Sequence, residues 1–62
     1  MHTNSITPTE ADRLRALLAE RGERALLERF NISRTALLRA MSLLPIHPGT
    51  RALIEIGLAR LE

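Results

Sequence analysis

An all-α fold is predicted by three features of this 62-residue chain. Its apolar residues are mostly Leu and Ala, which favour helix, while Val, Tyr and Trp are absent and no stretch reads as a strand. Those apolar residues recur at the three- and four-residue spacing of a helix face. Start and stop signals then divide the chain into four segments. The expected architecture is a compact four-helix domain over residues 7–62, preceded by a flexible polar tail over residues 1–6.

The first segment opens at ITPTE. Thr7 suits an N-cap, Pro8 the first helical position, and Glu10, three residues after the cap, closes a capping box. A helix is expected from Pro8 to about Arg21, with Ala11, Leu14, Leu17 and Leu18 on one stripe, and Gly22 ends it. Glu23 places its charge at the positive end of a second, short helix, ERALLERF. Leu26, Leu27 and Phe30 point one way along it, and Arg24, Glu28 and Arg29 the other. Asn31 tolerates left-handed backbone and can reverse the chain in one step. Ile32 anchors that turn in the core. Ser33 caps a third helix, Arg34 to about Leu43 or Leu44. PIHPG, with Pro45 and Pro48, reads as a loop. Thr50 is expected to cap a fourth helix, Arg51 to Leu61.

A domain this small has a marginal core and calls for reinforcement. There is no cysteine for a disulfide, and His2 and His47 lie far apart without clustered carboxylates, so neither a metal nor another cofactor is expected and self-association remains. No run approaches the length of a membrane span and nothing near the start has the pattern of a secretion signal, so the expected location is the cytoplasm. Catalysis is not expected either: Cys and Lys are absent, there is one Asp, no glycine-rich phosphate loop, and too little mass for a closed pocket that would bind a small molecule.

The formal charge is +2, but its distribution is uneven. Every basic residue is Arg, and from Arg29 to Ile54 there is no acidic residue, while Arg29, Arg34, Arg39 and Arg51 fall in that interval. Guanidinium groups form paired hydrogen bonds with phosphate or guanine, so this stretch is a candidate nucleic-acid surface.

Two helices joined by a short turn, the second Ser-capped and exposing basic and hydroxyl groups, form a helix-turn-helix pattern. The segment ERALLERFNISRTALLRAMS, residues 23 to 42, resembles the helix-turn-helix of the lambda repressor and Cro-like (XRE-type) transcription regulators. LLPIHPGTRALIEIGLARL resembles the loop and following helix of that family. Leu26, Phe30, Ile32, Leu37 and Ala40 stand where the family buries apolar side chains. Asn31 replaces its usual turn glycine, and Leu27 its usual small residue at the helix crossing. The resemblance implies a lambda repressor-like regulator that binds double-stranded DNA sequence-specifically, acting as a repressor with helix 34–43 in the major groove. On that reading Arg34 and Arg39 fork onto guanine, and Thr35 and Leu38 meet thymine methyls. Arg24, Ser33, Ser42 and Arg51 hold backbone phosphates.

The last helix is apolar on two sides, with Leu53 and Ile56 on one and Ile54, Leu58 and Leu61 on the other. A chain of this size has too few helices to cover both, so a homodimer is expected, with Ile54, Gly57, Leu58 and Leu61 at its interface, reading a palindromic operator. The alternative is a small helical protein–protein interaction module, an adaptor or antitoxin-like fragment, that binds a different chain through the same helix.

Overall fold

A computed structural model of the chain describes residues 5–60 and contains four helices: α1, Pro8–Arg21; α2, Glu23–Phe30; α3, Arg34–Met41; and α4, Pro48–Arg60. Among the described residues there is no strand, and no helix is long and apolar enough to cross a membrane. α2 is the central element, packing against each of the other three, and α1 also packs against α3.

The start of α1 has the expected capping box. Thr7 Oγ1 accepts from the Glu10 N–H at 3.2 Å, and Glu10 Oε1 accepts from the Thr7 N–H at 2.9 Å. The residue before the cap, Ile6, is buried in the core together with Ala11, the pairing of a hydrophobic staple. Along α1, Ala11 and Leu14 are fully buried, while Leu17 and Leu18 are half-buried against the core. Gly22 ends the helix at φ 87 and ψ 160, a conformation open in practice to glycine alone, and α2 begins at the next residue.

In α2, Leu26 and Phe30 face the core and Leu27 lies at its edge, so the larger residue at the helix crossing is turned aside. Asn31 adopts the left-handed conformation, φ 57 and ψ 48, and the Ile32 N–H reaches back to the Leu27 carbonyl at 3.2 Å. Ile32 is half-buried against the core. Ser33 Oγ then accepts from the Ala36 N–H at 3.1 Å, and α3 buries Leu37, Ala40 and Met41.

α3 ends at Met41, earlier than expected, because Leu43 takes the left-handed conformation at φ 59. The Leu43 N–H donates to the Ala40 carbonyl and the Leu44 N–H to the Arg39 carbonyl, the pair of bonds that usually surrounds a glycine. Leucine is strained there and is 41% exposed, so Leu43→Gly is expected to stabilise the fold by at most about 0.5–1 kcal/mol, after the greater freedom of glycine in the unfolded chain and the apolar cover lost with the side chain are set against the relieved strain. Leu43→Ala is expected to show no gain in the same urea melts.

α4 also differs from expectation. It starts at Pro48, so Thr50 lies inside the first turn and does not cap it. The residue before the helix takes the capping role: the His47 carbonyl accepts from the Arg51 N–H at 3.0 Å, and His47 Nδ1 accepts from the Gly49 N–H at 3.0 Å. Pro48 has no N–H to lose at that position. Ile46, in the loop, is buried.

The expected dimer stripe is corrected as well. Ile54 and Leu58 are buried in the chain's own core, and Gly57 is covered by the Phe30 ring. None of the three is on the free surface, and Leu61 lies outside the described residues. The stripe left outside carries Leu53 and Ile56.

Candidate nucleic-acid interface

The outward face of α3 follows from its inward one. With Leu37, Ala40 and Met41 buried, the helical period turns Arg34, Thr35, Leu38, Arg39 and Ser42 away from the core, and all five are exposed, as is Ser33 at the cap. Arg34 and Arg39 sit at the two edges of this face, roughly 140° apart around the axis, with Leu38, Ser42 and Thr35 between them.

The Arg34 edge lies beside the start of α2. Arg34 Nε is 3.0 Å from Glu23 Oε1, an ion pair whose members remain 71% and 40% exposed. Arg34 is therefore anchored without being covered. With Nε engaged by the carboxylate, the Nη1/Nη2 end of the guanidinium stays available for a second planar acceptor. The neighbouring Arg24 is exposed on the first turn of α2.

The Arg39 edge borders the loop before α4. Ser33, Thr35, Ala36 and Arg39 form one wall of a shallow open groove, and Pro45, Ile46, His47 and Thr50 form the other. Arg39 has no ion pair among the described residues, and the same is true of Arg24, Arg29 and Arg60. Arg51, half-buried, is held within α4 by Glu55 at 2.9 Å. Ser33 uses its oxygen to cap α3, which leaves its hydroxyl proton for another acceptor. Leu38, at 51%, is one of the two most exposed large apolar residues of the described chain.

The structure thus brings Ser33, Arg34, Thr35, Leu38, Arg39 and Ser42 onto one face, with Arg24 on the neighbouring helix. Arg51 is paired with Glu55 within α4.

Three roles were not legible from spacing. Glu23 positions Arg34 across the α2–α3 turn. Arg15 Nη2 donates to the Met41 carbonyl at the end of α3, while its Nη1 pairs with Asp12 at 3.1 Å. Arg13 Nη2 donates to the Leu58 carbonyl at 3.1 Å. These two α1 arginines place positive charge where the carbonyl ends of α3 and α4 need it, and so fix the tilt of α1 against both.

The described residues contain no cluster of His, Asp or Glu able to hold a metal. In comparisons with known proteins, no family model, no curated protein and no solved structure matches this chain.

Proposed function

We propose that the chain is a sequence-specific double-stranded DNA-binding regulator of the helix-turn-helix kind, acting in the cytoplasm as a non-enzymatic repressor of the lambda repressor-like type. In this reading α2, the 31–33 turn and α3 form the DNA-binding unit, α3 enters the major groove, and two copies occupy the halves of a palindromic operator. The observation that carries it is the single exposed face of α3, in which two arginines bracket hydroxyl and apolar groups without any acid between them. That combination fits base edges: a guanidinium for guanine O6 and N7, and Thr35 and Leu38 for thymine methyls. Arg39 is the stronger candidate for a base contact, because it is unpaired and sits where the groove opens. Arg34 is presented by Glu23. Arg24, Ser33 and Ser42 flank the face and suit phosphates. Arg51 is a weaker phosphate candidate, since Glu55 already neutralises it.

The test is fluorescence anisotropy on a duplex selected from a random pool. Arg39→Ala is expected to weaken binding by about tenfold and to relax preference at one base pair. Arg24→Ala is expected to weaken all sequences alike and to reduce the salt slope by about 1. Unchanged binding by both Arg39→Ala and Arg34→Ala would refute the assignment of α3.

A second reading, a helical protein-interaction module, is favoured by one observation: the outer face of α4 exposes Leu53 and Ile56. It differs from the first in expecting no salt-dependent DNA binding.

A further inference from the structure

The surface of α4 that faces away from the core is nearly as apolar as the one that faces in. Gly49, Ala52, Leu53, Ile56, Ala59 and Arg60 are all exposed and fall on one side of the helix, and Leu53 and Ile56 are 38% and 51% accessible. The spacing within this stripe is that of a helix–helix seam. Gly49 and Ile56 are one heptad apart, as are Ala52 and Ala59, which gives alternating steps of three and four. Small residues at three of these four positions permit close approach of a second helix, with Ile56 as the central knob.

Charge along the edges selects the occupant and its direction. In heptad terms Leu53 and Arg60 flank the seam on one side and Glu55 on the other. Arg60 lines, with Arg29, Leu53 and Ile56, a shallow groove floored by Phe30 and Gly57, and no acid among the described residues pairs with either arginine. Two copies packed in parallel would bring Glu55 of each to the Arg60 of the other, with Arg29 alongside. An antiparallel pair would set Glu55 against Glu55. Glu55 holds Arg51 through Oε1 only, so Oε2 remains to accept.

We infer that the outer stripe of α4, centred on Ile56, is a parallel twofold interface with a second copy of this chain, closed by reciprocal Glu55–Arg60 pairs. The inference supplies the pairing that the proposed function needs, and its geometry agrees with that need. The groove beside Arg39 lies at the N-terminal end of α4, so parallel pairing puts both such grooves at the same end of the dimer, as contact with a single duplex requires. Antiparallel pairing would separate them. A seam of 13 helical residues is short, which places the dimer in the weak class.

The test is sedimentation of the full chain without DNA, from low micromolar to about 1 mM, the range in which weak pairs assemble. A reversible monomer–dimer equilibrium is expected, weaker at high salt. Ile56→Asp should abolish it while leaving the circular dichroism unchanged, since Ile56 is outside the core. Arg60→Glu should weaken it by roughly tenfold, and adding Glu55→Arg should restore it, because the swapped charges again face each other. A chain that stays monomeric throughout, or a double variant as weak as Arg60→Glu, overturns the interface. A monomer that still binds a half-site would overturn the interface alone. A dimer with these mutational responses that ignores DNA would support the interface and refute the DNA reading.

Discussion

Gly57→Ala is expected to destabilise the protein by about 1–3 kcal/mol, although helix propensity by itself favours Ala over Gly by about 1 kcal/mol. Gly57 is in the interior of α4, and a Cβ built on it overlaps Cδ1 and Cε1 of Phe30. Phe30 is the largest side chain in the core and is 2% exposed, so turning it away disturbs its packing against the other core side chains. The ring therefore lies directly on the α4 backbone, and either the ring or the two helices must shift to admit one methyl group. For a domain of this size, whose total stability is about 3–9 kcal/mol, that loss is a large fraction of the whole. Thermal melts of Gly57→Ala, Phe30→Leu and the double variant form the check. The alanine should cost markedly less in the Phe30→Leu background, where the ring that it meets is gone. Equal costs in both backgrounds would show that the close approach is not what requires glycine.

The second large effect is expected at the α1–α2 junction. Gly22→Ala should cost about 2–3 kcal/mol through the backbone alone, since φ 87 with ψ 160 is closed to L-residues and nothing lies within 4 Å of the added Cβ. The conformation does two things at once. It lets the Gly22 N–H close α1 on the Leu18 carbonyl at 2.9 Å, and it lets the Gly22 carbonyl open α2 by accepting from the Leu26 N–H at 3.4 Å. Because the cost is conformational, chemical synthesis with D-alanine at this position should restore or exceed wild-type stability in urea melts. Destabilisation by D-alanine as well would mean that a hidden contact, and not the sign of φ, is responsible.

These two glycines illustrate how far the chain can be read without coordinates. Gly22 is legible because a helix stop is a local event: the glycine follows a helical stripe and precedes an acidic helix start, and the backbone conformation it must take depends on residues within one turn. The same holds for the Thr7–Glu10 box, the left-handed Asn31 and the Ser33 cap. It failed where local rules allow more than one outcome. Thr50 is a better capping residue than His47 on composition, but Pro48 is well suited to a first helical position, and an imidazole nitrogen can accept from the helix start as a hydroxyl does. Leu43 occupies a glycine position at the end of α3, which no propensity scale would suggest.

The candidate interface divides in the same manner. The exposed side of α3 follows from periodicity, because burying Leu37 and Ala40 leaves only one side for Arg34, Thr35, Leu38 and Arg39. Its electrostatic setting does not: Glu23 reaches Arg34 through the fold of the α2–α3 turn, and the Arg39 groove needs the 45–50 loop folded back beside α3.

By itself the sequence determined the helical class, the four segments, the turn at Asn31 and the presence of two apolar stripes on α4, because capping, backbone sterics and helical period act over a few residues. Which of those stripes enters the core was a tertiary decision. Ile54 and Leu58 are inside, and Leu53 and Ile56 outside, in the packing that seats the Phe30 ring on the bare backbone at Gly57, a contact between residues 27 positions apart that exists only in the folded chain. The docking of Arg13 and Arg15 on the carbonyl ends of α4 and α3 was decided at the same level, since a hydrogen bond between residues 13 and 58, or 15 and 41, exists only once the helices have packed.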